Sequence, residues 1–158
     1  MKVHPHRMDE HTMDIYGNIL LATDFSDASR AAVRKAREIA DCFHARLRLL
    51  HVIDYFPEDL PMDWIPPENL DPATWFEQEA QRRLQQLAGE LGVAADDTET
   101  LFSSRAAAIE IAHAAERHGA DLIVIGSHGR RGIGRLLGST AHGVLHRAPC
   151  DVLTVRSG

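Results

Sequence analysis

The residues with the most chemistry in their spacing lie near the C-terminus. They read Asp121-Leu-Ile-Val-Ile-Gly126-Ser127-His128-Gly129-Arg130-Arg131-Gly132-Ile-Gly134-Arg135-Leu-Leu-Gly138-Ser139-Thr140. An apolar run gives way to a stretch with five glycines and three arginines, which ends in Gly-Ser-Thr ahead of a helical pattern. Glycines let backbone N–H groups approach an anion, and a helix start adds unpaired donors and the positive end of a dipole. That is chemistry for phosphate. Ser139 offers both a hydroxyl and a backbone N–H at the helix start. Of the arginines, Arg130 is assigned to phosphate, and Arg131 and Arg135 to a solvated basic loop.

Three more residues carry chemistry at the ends of apolar runs. Asp24 suits a base, a ribose or a metal bridging phosphates, or it caps a helix beside Ser26. His51 and His128 are the acid–base candidates, although a histidine at a strand end is more often structural. The usual catalytic patterns are missing. The only lysines, Lys2 and Lys35, do not follow glycine, so there is no Walker A sequence and no kinase-type strand lysine. Gly132-Ile-Gly134 resembles part of a dinucleotide fingerprint, but it lies mid-loop and the first strand turn has no glycine. There is no Gly-x-Ser-x-Gly nucleophile elbow.

The elements that must position these groups alternate strand and helix, which argues an α/β domain with a parallel sheet. Strands are predicted at 18–23, 46–54, 98–102, 121–126 and 151–156. The fourth is the most apolar and is expected at the centre. The first helix follows Ser26, with Ala32, Ala36, Ile39 and Phe43 on one face. The second starts at Asp71-Pro72, buries Phe76, Ala80, Leu84, Leu87 and Leu91, and stops at Gly92. The third covers 106–118, with Ala108, Ile111 or Ala112, and Ala115 inward. The last covers 139–147, burying Ala141, Val144 and Leu145. Residues 55–71, rich in proline, read as a long loop whose Trp64 and Ile65 fold back onto the domain. In open sheets of this kind ligands bind beyond the strand C-termini, so Thr23-Asp24, Val52–Asp54 and Gly126–Gly129 are expected to share one crevice.

Composition narrows the class. The 158 residues suit one domain, 17–158, behind a polar tail, 1–16. The tail's irregularly spaced His4, His6 and His11 read as solvated rather than as a metal site. A net charge of −6 argues against nucleic acid as a partner. No run approaches the ~20 apolar residues of a membrane span, and the N-terminus lacks a signal-peptide core. Two cysteines, Cys42 and Cys150, make no disulfide framework and suit a cytoplasmic protein. Cys150 is expected as a small core residue.

Four segments together resemble the universal stress protein family. They are Thr23-Asp24-Phe25-Ser26, Leu49-Leu50-His51-Val52-Ile53-Asp54, Gly126-Ser127-His128-Gly129 and Leu136-Leu137-Gly138-Ser139. The resemblance spans residues 17–156. It implies an open five-stranded parallel sheet in order 3-2-1-4-5 with helices on both faces, and a homodimer through the last strand, 151–156. It also implies ATP, with or without Mg2+, as ligand. Gly126, Gly129, Gly138 and Ser139 would wrap the phosphates, with Ser127, His128, Arg130 and Thr140 adjacent. Ala22, Thr23, Asp24 and Val52 would lie toward adenine and ribose. Two features depart from the family pattern. Eight residues rather than nine separate Gly129 from Gly138, and Ser103 and Arg105 stand where glycine and proline are common.

The expected function is a cytoplasmic, ATP-binding stress-response regulator, a homodimeric nucleotide sensor with a protein partner still to be named. Two alternatives remain. One is a slow ATPase or phosphotransferase using Asp24 and His128. The other is a nucleotide-free dimerisation module, against which the intact glycine signature argues.

Overall fold

The structure, a computed structural model, describes residues 15–54, 63, 65, 71–103, 105–129 and 136–157. Among the described residues five strands and four α-helices alternate along the chain. They are β1 (Asn18–Ala22), α1 (Arg30–Phe43), β2 (Arg46–Ile53), α2 (Pro72–Leu91), β3 (Thr98–Phe102), α3 (Ala107–Arg117), β4 (Leu122–Gly126), α4 (Ser139–Arg147) and β5 (Asp151–Val155). All strand pairs are parallel, in the order β3-β2-β1-β4-β5. The implied topology therefore holds. The centre of the sheet is β1 rather than β4. β4 is apolar because it too is covered on both faces, and apolarity alone does not rank two interior strands.

Side chains alternate between two cores because a strand has a period of two. Ile19, Leu21, Leu47, Leu49, Leu122 and Val124 face α1 and α2, where they meet Ala32, Ala36, Ala40, Leu84 and Ala88. Leu20, Ala22, Leu50, Ile123 and Ile125 face α3 and α4, meeting Ala108, Ile111, Ala114, Ala115, Ala141 and Val144. Alanine dominates the buried helical faces. On α1 the fully covered stripe is Ala32, Ala36 and Ala40, at i, i+4 and i+8. The predicted Ile39 and Phe43 lie to its side, Ile39 against the core and Phe43 edge-on to the Tyr16 ring. On α2, Ala80, Leu84 and Ala88 are buried, while Phe76, Leu87 and Leu91 are half-buried.

The ends of the helices follow local chemistry. Asp71 caps α2 by accepting from the Thr74 N–H at 3.1 Å, with Pro72 at the first position. Gly92 ends α2 at φ +65°, in the left-handed conformation that glycine adopts most readily. Ser26 caps a single 3-10 turn, Asp27–Ser29, that leads into α1. At α4 the cap position belongs to Gly138, not Ser139, and no side chain among the described residues caps it.

Other expectations are corrected. Leu145 is 47% exposed on α4 because the helix meets the sheet through Ala141 and Val144. Ile65 is 77% exposed and does not fold back onto the domain. β1 and β2 each end one residue earlier than predicted, at Ala22 and Ile53. Cys150 is half-buried against the second core, where burial pushes its thiol above the usual range, and Cys42 is exposed. Trp64, most of the 55–71 loop, the N-terminal tail and residues 130–135 lie outside the described residues.

Candidate nucleotide site

The order 3-2-1-4-5 reverses at β1. Chain leaving β1 and β2 turns to one face of the sheet, and chain leaving β4 turns to the other. A crevice opens where they part, beyond the strand C-termini. There the structure has a cavity of about 670 Å³, within the size range of small-molecule sites. Ala22, Thr23, Asp24, Val52, Gly126, Ser127, His128, Gly129, Gly138, Ser139 and Thr140 all line it. These are the sequence-predicted residues other than Arg130, which lies outside the described residues together with Arg131 and Arg135.

The end of β1 is tied to its neighbours by short hydrogen bonds. The Thr23 N–H donates to the Leu50 carbonyl at 3.0 Å. Thr23 Oγ1 accepts from the Phe25 N–H at 3.2 Å and lies 3.2 Å from Ser29 Oγ. Asp24 Oδ1 accepts from the Ser26 N–H at 2.9 Å and from the Ser26 hydroxyl at 2.5 Å. Asp24 thus closes a local turn onto Ser26, which is itself the helix cap, so the cap expected of Asp24 falls to Ser26 while Asp24 lines the cavity. Its second oxygen lies against Gly129, where a Cβ would come within 3.0 Å of it.

His51, buried at the edge of the cavity, has Nδ1 2.7 Å from the Thr23 carbonyl. A carbonyl only accepts, so Nδ1 carries the proton and donates. The ring also lies tilted on Phe25, with centroids 4.4 Å apart. Phe25 occupies the left-handed region at φ +62°, a strained conformation for a bulky residue.

Across the crevice the glycine turn is compact. The Ser127 N–H donates to the Val155 carbonyl at 2.8 Å, which anchors the turn to β5. The Gly138 N–H donates to the Ser127 carbonyl at 2.7 Å and brings the start of α4 against the turn. A Cβ at Gly138 would lie 3.1 Å from that carbonyl oxygen and 3.5 Å from the His128 Cα. Ser127 Oγ lies 3.0 Å from His128 Nδ1. His128 Nε2 is buried and has no hydrogen-bond partner among the described residues. An orphaned buried nitrogen beside uncapped helical N–H groups is an arrangement for an anionic ligand atom.

The α2 wall was not foreseen. Trp75, Phe76, Glu79 and Arg83 line the cavity with Phe25. Glu79 accepts from Arg82 Nη2 and Arg83 Nε, each at 2.8 Å, and the Arg82 and Arg83 hydrogen bonds hold its carboxyl down to about 2. The Arg83 guanidinium stands 6.0 Å from the centre of the Phe25 ring. In the sequence these residues carry only a helical pattern; no local signal marks them for the cavity. Among the described residues no group of three or more His, Cys, Asp or Glu is arranged to hold a metal. Ser103 bonds locally, its hydroxyl donating to the Arg105 carbonyl at 2.9 Å, and Arg105 is exposed and not a lining residue.

Comparison with known proteins agrees with this architecture. Residues 15–156 match the model of the universal stress protein family. Universal stress protein A homolog 1 of Coxiella burnetii is 36% identical over 140 residues, covering 89% of this chain and 96% of that protein. The solved structure of the universal stress protein UspA from Lactobacillus plantarum is 32% identical, with a TM-score of 0.60 over 89% of this chain and 98% of that one. A universal stress protein determined in complex with cAMP is 30% identical, with a TM-score of 0.56 over 90% and 98% of the two chains.

Proposed function

The chain belongs to the universal stress protein family, and we propose that it is an ATP-binding, homodimeric regulator of a cytoplasmic stress response. The observation that carries the reading is convergence. The ends of β1 and β2, the Gly126–Gly129 turn and the start of α4 line one cavity, and His128 Nε2 is buried there without a partner among the described residues. In this reading the backbone N–H groups of Ser139 and Thr140 and His128 Nε2 meet phosphate oxygens. Gly129 and Gly138 leave room where a side chain would intrude. Asp24 and Val52 face ribose and adenine. A related family member was determined with cAMP, which supports an adenine nucleotide as ligand class. Arg130 is the proposed further phosphate contact, and Mg2+ would ride with the ligand's own phosphates. Micromolar affinity, roughly −8 kcal/mol, suffices for such a sensor.

β5 is an edge strand of the sheet. Its outer backbone groups are the surface we assign to pairing with a second copy, which removes an open edge from solvent. Loop order that changes with nucleotide would then be read by a protein partner.

The test is to purify the protein without added nucleotide, denature it and identify released small molecules by chromatography and mass. ATP, or an empty protein that takes up added ATP with magnesium, is the expected result. Recovered ADP or AMP with steady turnover favours the slow hydrolase. No uptake of ATP in either state overturns the nucleotide reading and leaves a dimerisation module.

A further inference from the structure

α4 carries two histidines that the cavity does not use. His142 and His146 stand four residues apart, a spacing that makes side chains neighbours on a helix surface. Their rings are in contact, with centroids 4.5 Å apart and planes at 69°. Both residues are exposed, and neither lines the cavity. The helix beneath them is fixed from the other side. Ala141 and Val144 are buried, and Gly143 lies so close to α3 that a Cβ there would meet the Ala108 Cβ at 2.7 Å. At 3.6 residues per turn, the histidine face lies opposite Val144. The nearest cation on the helix, Arg147, turns back to donate to the Gly143 carbonyl at 3.3 Å. Two imidazoles are thus held side by side on a rigid helix, facing solvent.

We propose that His142 and His146 form a bidentate site for a divalent transition metal, separate from the nucleotide cavity. Two neutral imidazole nitrogens suit Cu2+, Ni2+ or Zn2+, and water completes the coordination; they do not suit the oxygen-seeking Mg2+ or Ca2+. The spacing is that of the two histidines in helical zinc sites of the His-Glu-x-x-His type. Here Gly143 stands where those helices carry the catalytic glutamate. The site therefore binds metal without a general base for hydrolysis.

The experiment uses the full chain with His4, His6 and His11 replaced by alanine, so that the N-terminal histidines do not compete. Cu2+, Ni2+ and Zn2+ chlorides are titrated separately at about pH 7.5. One ion per chain is expected, with Cu2+ bound tighter than Ni2+ or Zn2+ and with no competition from Mg2+. His142→Ala and His146→Ala should each weaken binding about tenfold or more while leaving the metal-free melting temperature unchanged. Substoichiometric Cu2+ should broaden the ring resonances of these two histidines before any other. Unchanged affinity and stoichiometry in both variants, first broadening at other rings, or no uptake by the chain lacking the three N-terminal histidines would each overturn the proposal.

Discussion

Gly138 and Ser127 meet across the connection between β4 and α4. The Gly138 N–H donates to the Ser127 carbonyl at 2.7 Å, and a Cβ on residue 138 would stand 3.1 Å from that same oxygen. The contact places the uncapped start of α4 against the glycine turn. Gly138→Ala should force the two apart and misdirect the N–H groups assigned to phosphate. A lost hydrogen bond is worth about 0.5–1.5 kcal/mol, so ATP affinity should fall by up to roughly tenfold. Titration calorimetry reads the loss, and unchanged affinity would remove this contact from the site.

His128 offers a prediction with two opposite signs. Its Nε2 is buried without a partner among the described residues, which disfavours the empty protein. In His128→Leu the empty protein should melt at the same temperature or higher, while ATP binding weakens by about tenfold for one lost charge-assisted bond. If stability falls and affinity holds, the ring is a packing element and not a ligand contact.

The proposed dimer has a backbone signature. In a parallel ladder β5 uses only part of its N–H groups toward β4, and the rest face the open edge. If a second copy pairs there, all β5 amides should exchange slowly with deuterium, and the outward set should speed up on dilution. Fast exchange of the outward amides at every concentration would leave β5 unpaired.

Gly143 and Ala108 form a close helix–helix contact between α4 and α3. Gly143→Ala would place two Cβ atoms 2.7 Å apart and should destabilise the fold by about 1–3 kcal/mol, the usual range for overpacking. Adding Ala108→Gly should restore most of the loss, apart from the effect of glycine on the α3 helix. Chemical denaturation of the two single variants and the double variant measures the coupling.

Glu79 makes stability pH-dependent. Hydrogen bonds from Arg82 and Arg83 lower its carboxyl from 4.5 to about 2. A depressed acid contributes its full stability above its unfolded value and loses it as pH falls through its folded value. The difference in melting temperature between wild type and Glu79→Gln should therefore be constant above about pH 5 and shrink from pH 4.5 toward 2. The group is partly solvated, so the full difference is about 1 kcal/mol or less. A gap that does not change with pH would mean that the substitution acts through packing on the cavity wall.

Most elements were legible in the sequence because their signals are local. The Asp71-Pro72 helix start, the Gly92 stop, the apolar runs of β1, β2 and β4 and the full extent of α4 all follow from periodicity and capping within a few residues. The Gly126–Gly129 turn and the Gly138-Ser139 start of α4, which we propose for phosphate, were legible for the same reason: each is a short contiguous stretch. The strand order came with the family resemblance, since periodicity does not say which strand pairs with which.

Tertiary structure decided what depends on distant neighbours. Ala40 is buried and Leu145 exposed because each helix meets the sheet along a narrow face, and small side chains allow close approach there. Gly138 at the α4 cap lies against the Ser127 carbonyl, where a Cβ would stand 3.1 Å from the oxygen. The cavity joins Ala22 to Ala141, and its α2 wall of Trp75, Phe76, Glu79 and Arg83 has no mark in the chain. The sequence by itself determined which segments become strand, helix and glycine turn, because those are interactions over one or two turns of chain. Which residues share a wall, a core or a cavity was decided only when parallel pairing brought segments a hundred residues apart into contact.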